Sequence, residues 1–301
     1  MKNRRRHLKP FAKIMILLIL VIIILGLLVI FKNAKKDNKT DEPKQTEKEN
    51  KPKPSNPDKP DNKPKNKFED GKYYLEKNLA RYEAYYENNS ELSIDEIIKR
   101  VNSGIDKTWY EDVEPSDLTK GNLIIINKLH YVDQNYEPDN LVSMSGYGNG
   151  YLVQDAHDAY AEMYAAAKAD GMNLLVTTSY RGYGFQSTLY WNYVNQDGQE
   201  NADTYSARPG YSEHHSGLAV DLSTPNLTNA FTEFIYTDEY KWMQENCYKY
   251  GFIQRYTDEN QYITGYQPEA WHYRYVGKDV AKYIYENNIT FEEYYAYFVE
   301  D

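Results

Sequence analysis

An uncharged apolar run of 18 residues, Ile14–Phe31, constrains this chain more than any other feature. As a helix it rises about 1.5 Å per residue, roughly 27 Å in all, which just crosses a bilayer core. Lys2, Arg4, Arg5, Arg6, Lys9 and Lys13 precede it, so the positive-inside rule leaves the N-terminus in the cytoplasm. A cleaved signal peptide would have a shorter apolar core ending in small residues, whereas this run ends in Leu-Val-Ile-Phe-Lys. The expectation is one uncleaved transmembrane helix over 14–31 behind a basic cytoplasmic tail over 1–13. No cysteine follows the run, which removes lipoprotein anchoring.

Residues 32–67 hold twelve Lys, six Pro and a single small apolar residue, Ala34. Such a stretch buries too little apolar surface to offset ordering, so a disordered linker is expected. As a coil it would average about 30–35 Å end to end. The formal charge of −10 divides into +6 on 1–31, +5 on 32–67 and −21 on 68–301. So acidic a body excludes nucleic acid as a partner, because phosphate neutralisation needs a cationic face. The one cysteine, Cys247, excludes an internal disulfide and a cysteine-based zinc cluster. Anchor, tether and acidic body outside the cell together point to an enzyme or adaptor working within the bacterial cell wall.

Within the body, Leu75, Leu79, Tyr82 and Tyr86 recur at helical spacing. Ser93-Ile-Asp-Glu96 reads as a capping box opening a helix through Ile97, Ile98 and Val101 to Gly104. This helical lead, 68–119, is expected to be a lid or packing appendage of a domain over 120–301. There the pattern predicts strands at Leu123–Asn127, Leu174–Thr178, Gly217–Leu222 and Trp271–Val276, with a turn at Tyr136-Glu-Pro138. Helices are predicted over Val153–Ala169, Gln186–Val194, Phe231–Tyr250 and Asp279–Tyr285, and Thr290-Phe-Glu-Glu293 caps a last one. Helices interleaved with short strands give an α+β class, a small and mainly antiparallel sheet with packed helices.

Three of six histidines stand in unusual surroundings: Ser212-Glu-His214-His-Ser-Gly217-Leu-Ala219-Val-Asp221, and Glu269-Ala-Trp-His272. Two imidazoles and a carboxylate give zinc three ligands and leave a fourth position for water, the makeup of a catalytic rather than a closed structural site. Glu269 is the candidate to take that water's proton. Gly217 permits a tight turn after His214, and strand alternation then sets Leu218, Val220 and Leu222 opposite Ala219 and Asp221. Pro268 forces an extended or turned backbone at Gln267, which frees Glu269 from the alternation of the strand bearing His272. His215 is expected to point away from the metal, toward a supporting position or the surface. His7, His130 and His157 read as structural or solvated. Trp271 and Tyr273 either wall the cleft or pack in the core.

S-x-H-x-x-G-x-A-x-D, followed roughly fifty residues later by E-x-x-H, closely resembles the zinc-site motifs of the VanY-type D-alanyl-D-alanine carboxypeptidases, within the hedgehog/DD-peptidase fold group. Ser179-Tyr-Arg181-Gly-Tyr183-Gly-Phe-Gln186 is similar to the family's S-x-R-x-x-x-x-Q element, with Gly182 where the family often has serine. The resemblance covers roughly residues 120–280. It implies one zinc per chain on His214, Asp221 and His272, with Glu269 as general base and acid. It also implies that Arg181, Gln186 and Ser212 hold the terminal residue of a peptidoglycan stem peptide. A guanidinium fork suits a free C-terminal carboxylate; Arg181 could equally steady the oxyanion, or be a surface arginine after a strand. The activity implied is removal of a C-terminal D-alanine, with D,D- or L,D-specificity. The alternatives are a wall endopeptidase of the same fold and a non-catalytic wall-binding module; the filled zinc and glutamate positions weigh against the latter.

Overall fold

The computed structural model describes residues 65–300. The anchor expected at 14–31 and nearly all of the expected linker lie outside them. Among the described residues, no helix is long and apolar enough to cross a membrane.

The main sheet has four strands, β1 (Leu175–Thr178), β2 (Ala219–Ser223), β3 (Phe252–Tyr256) and β4 (Glu269–Tyr275). They are antiparallel, in the order β1-β2-β4-β3. The longer helices are α1 (Leu79–Glu87), α2 (Ile94–Asn102), α3 (Gln154–Ala169), α4 (Tyr183–Asp197), α5 (Asp238–Asn246), α6 (Lys278–Asn287) and α7 (Phe291–Phe298). The stripe Ala156, Ala159, Tyr160, Met163 and Ala167 of α3 packs into the main core with Leu218, Val220 and Leu222 around β2. Alternation along β2 thus sends its aliphatic side chains into that core and leaves Asp221 for the opposite face.

Two irregularities in the ladder shape the region around Asp221. Val176 faces Leu222 while Thr178 faces Asp221, so two residues of β1 span one step of β2. Gln254 faces Tyr273 while Tyr256 faces Glu269, so two residues of β3 span four of β4. Bulges of this kind re-aim side chains. Glu269 lies inside β4, so it is the bulge in the ladder, and not Pro268 alone, that lets it share a side with His272.

Two expected elements differ, and one strand is unforeseen. Leu123–Asn127 is no strand: Ile124, Ile125 and Ile126 are buried, but side chains take the carbonyls of Ile124 and Ile125. Arg274 Nη2 donates to the Asn122 and Ile124 carbonyls at 3.0 and 2.7 Å, and Ser116 Oγ donates to Ile125 at 2.6 Å. Phe231–Tyr250 is not one helix, because Thr237 is extended (φ −90°, ψ 160°) and its hydroxyl accepts the Tyr240 N–H at 3.0 Å, starting α5 afresh. β3 has no counterpart among the expected strands. Burial on both its faces removes the period-two signal.

The lead has a small core of its own, Phe68, Tyr82, Ile97, Ile98 and Val101. Tyr73 stacks on Tyr297 of α7 at 3.9 Å between ring centres, and Lys99 pairs with Glu293 at 3.8 Å. It is therefore a packing appendage on the C-terminal helix. Ser93 accepts the Glu96 N–H, but the Glu96 carboxylate turns to Arg100 at 2.7 Å. The full reciprocal box forms at Thr290 and Glu293 instead.

Candidate active site

Glu213–Ser216 forms a 3-10 turn that ends at Gly217, whose φ of 67° lies in the left-handed region. A Cβ there would stand 3.0–3.3 Å from the Leu141, Val153 and Pro138 side chains, so both conformation and space call for glycine. The chain then enters β2, where Asp221 sits directly opposite His272 of β4. One turn and one strand register thus collect three residues that are distant in sequence.

His272 Nδ1 lies 3.0 Å from Asp221 Oδ1, and His214 Nε2 lies 3.3 Å from the same oxygen. The three ligand atoms are within 4.8 Å of one another, and all three residues are buried. Ligands about 2.0–2.1 Å from a tetrahedral zinc stand about 3.3–3.4 Å apart, so the spacing suits that ion. Each outer ring nitrogen is committed elsewhere. His214 Nδ1 donates to the Ser179 carbonyl at 2.7 Å, and His272 Nε2 faces Glu213 Oε2 at 3.3 Å. Each ring therefore keeps its other nitrogen on the inner side for a metal, as metal-bound histidines do. The donor set fits zinc.

His215 stands in the same turn but serves the backbone. Its Nδ1 donates to the Arg181 carbonyl at 2.6 Å, and its Nε2 accepts the Gly210 N–H at 3.1 Å. Burial lowers it to about 4, so it is neutral. Of the two expected positions, support or surface, His215 takes the first, a buried brace beneath the Arg181 segment. His130 contacts Asn127 and Glu114, and His157 contacts Asp158; His7 lies outside the described residues.

Glu269 Oε2 lies 3.9 Å from His272 Nδ1. Burial pushes its carboxyl up to about 8, opposed by His272 and reinforced by Asp221. For His272 burial acts downward, yet its bonds to Asp221 and Glu213 raise it to about 9. Arg181 is no surface residue. Its Nη1 donates to Gln186 Oε1 at 2.7 Å, its Nη2 is 3.6 Å from Asp221 Oδ2, and its buried Nε has no partner among the described residues. Gln186 in turn donates to the Ala207 carbonyl at 2.7 Å, which fixes the fork from behind. The Nε edge is left for a ligand.

These groups, with Ser212, line a cleft of roughly 240 Å³ that also exposes Tyr193, Tyr205 and Phe231. Trp271 walls this cleft, edge-to-face with Phe231 at 4.9 Å, whereas Tyr273 is wholly buried in the main core. Sequence reasoning missed Glu213, Arg255, Arg274 and Tyr256, whose ring stacks 5.0 Å from that of His272. Spacing carries no signal for Glu213, which merely sits between two motif residues, and Arg255 and Tyr256 belong to the strand that went unforeseen.

Residues 149–278 match the family described as VanY: D-alanyl-D-alanine carboxypeptidase. A Bacillus subtilis (strain 168) protein named putative carboxypeptidase YodJ is 40% identical over 184 residues, which cover 58% of this chain and 66% of that one. The chain thus spans just under two thirds of that relative's length. The LdcB LD-carboxypeptidase structure is 38% identical with a TM-score of 0.57, over 62% of this chain and 91% of that one. The vancomycin resistance D,D-pentapeptidase VanY in complex with Zn(II) is 31% identical with a TM-score of 0.51, over 57% and 98%. The bifunctional D-Ala-D-Ala dipeptidase and D-Ala-D-Ala carboxypeptidase VanXYC of Enterococcus gallinarum is 30% identical over 184 residues, 59% of this chain and 95% of that one. On that relative, and on a match that runs through Arg181 and both histidine motifs, this chain belongs to the VanY D-alanyl-D-alanine carboxypeptidase family.

Proposed function

We propose that this chain is a zinc metallocarboxypeptidase that removes the C-terminal D-alanine from peptidoglycan stem peptides. The observation that carries the reading is the cluster itself: His214, Asp221 and His272 converge, with Glu269 beside them and the Arg181 fork in the same cleft. The Zn(II) in the VanY pentapeptidase and the LD-carboxypeptidase activity of LdcB support it.

His214 Nε2, His272 Nδ1 and an Asp221 oxygen would hold the ion. When bound, zinc supplies a Lewis acid that polarises a carbonyl and lowers the pKa of water to about 7. Glu269 takes the proton of the attacking water and returns it to the departing D-alanine amine. With a cation held by those three residues, the Glu269 carboxyl would fall from its raised value, so the group would enter as a base. Arg181 receives the terminal carboxylate along its Nε edge, with Gln186 holding the guanidinium in plane. A continuing chain has no carboxylate to offer there, which is how an exopeptidase tells an end from a middle. Ser212 lines the same cleft.

The apolar run 14–31 and the basic cluster before it support a single-pass anchor in the cell membrane, with the enzyme outside the cytoplasm and tethered by residues 32–67. Protease added to intact wall-stripped cells should release a fragment cut within 32–67; a mature soluble protein starting near residue 32 would contradict the anchor. Mass spectrometry of defined tetrapeptide and pentapeptide stems tests the activity. Loss of one D-alanine supports it and assigns L,D- or D,D-specificity, whereas internal cleavage products would make the chain an endopeptidase.

A further inference from the structure

We propose that Glu213 is a positioning residue for the metal: it fixes His272, the ligand on another strand, and not its neighbour His214. This rests on the zinc reading above.

The Glu213 carboxylate is wholly buried and divides its two oxygens. Oε2 faces His272 Nε2 at 3.3 Å, while Oε1 accepts from Arg255 Nε at 2.8 Å and Arg274 Nη1 at 3.3 Å. An ionised carboxylate only accepts, so Nε2 must carry a ring proton toward Glu213. The nitrogen left for an ion is Nδ1, which faces Asp221 Oδ1 3.0 Å away and whose proton the ion would replace.

The carboxylate is itself anchored. Arg255 reaches past it to Glu292 in the first turn of α7, with a bidentate pair at 2.9 and 2.6 Å. Arg274 is tied down by the Asn122 and Ile124 carbonyls. Two guanidiniums and two carboxylates thus balance, every member at most 5% exposed. Glu213 has no freedom to follow His272, so His272 follows Glu213. His214 needs no such carboxylate, since the Ser179 carbonyl sets its ring. Partners behind a ligand of this kind typically alter metal affinity by about 10–100-fold.

The test uses the full chain in detergent, stripped of metal, with Zn2+ as the probe and a competing chelator as the readout. Deleting Glu213 alone would strand a buried positive charge, so Arg274 is removed with it, leaving the Arg255–Glu292 pair balanced. E213M/R274M that folds, by thermal unfolding of the metal-free chain, should bind Zn2+ about 10–100-fold more weakly than wild type. E213Q/R274M should recover part of the loss, because the amide oxygen still accepts from Nε2. Wild-type Zn2+ affinity in folded E213M/R274M overturns the proposal. An unaltered chain that takes up no Zn2+ overturns the zinc reading and this one together. Should the double variants not fold, nitrogen-15 NMR of the zinc-loaded wild type reads the His272 tautomer directly. A proton on Nε2 supports the proposal, and a proton on Nδ1 overturns it.

Discussion

Two clusters of buried ionisable groups meet at His272, and their charge balance differs. Behind the ring, Glu213 and Glu292 face Arg255 and Arg274, so fixed charges of one sign match those of the other. In front of it, Asp221 and Glu269 have one guanidinium between them, Arg181, 3.6 Å from Asp221. The histidines there are neutral whenever they ligate. The balanced cluster is a structural brace, and the unbalanced one has the excess of carboxylate that a cation site requires. Buried charge by itself does not mark function; an uncancelled excess facing a cleft does.

That contrast can be broken most forcefully at the shared ring. His272→Ala should abolish stoichiometric zinc after dialysis and activity with it, while His215→Ala keeps the metal, as read by metal analysis of the purified chain. Zinc retained at full affinity without His272 would dissolve the distinction. Next in size, Glu269→Gln should cut turnover by about 10²–10⁴-fold with zinc content unchanged, because it removes a proton acceptor and no ligand. Steady-state rates on a stem peptide decide it, and near-normal turnover would take Glu269 out of the mechanism.

On the balanced side, Arg255→Ala should lower metal-free stability by about 3–5 kcal/mol, since Glu213 and Glu292 are left without their common partner. Glu269→Gln should not lower it, because burial of that carboxyl outweighs its attraction to His272, and Asp221 repels it as well. Denaturant unfolding of both variants compares the clusters directly. Per unit, pH has the smallest effect. Zinc must displace a proton that Asp221 and Glu213 hold on His272 up to about 9. The ring is protonated below that value, so affinity should weaken by up to about tenfold per unit as pH falls from 9 toward 6. A flat profile would mean that His272 does not ligate.

How much of this the sequence discloses follows from where the information lies. Alternation predicts that Asp221 leaves the core that Val220 and Leu222 enter, and the helix over Val153–Ala169 is read nearly to its ends, Gln154–Ala169, because it is amphipathic. Glycine at 217 announces the turn that carries His214. The ladder bulges are another matter: the step that brings Glu269 beside His272 arises from pairing with β3, which no local pattern reveals. The brace is hidden for the same reason, since Arg255, Arg274 and Glu292 are brought to Glu213 only by tertiary packing. The carboxylate next to His214 in sequence serves His272 in space, an exchange that only strand register can produce.

The central claim is most directly tested by locating the metal in crystals of the zinc-loaded protein with anomalous diffraction at the zinc edge. The account predicts one peak about 2.0–2.2 Å from His214 Nε2, His272 Nδ1 and a carboxylate oxygen of Asp221, with Glu269 outside bonding distance. A peak coordinated by His215 or Glu213, or no peak in this cleft, would contradict it.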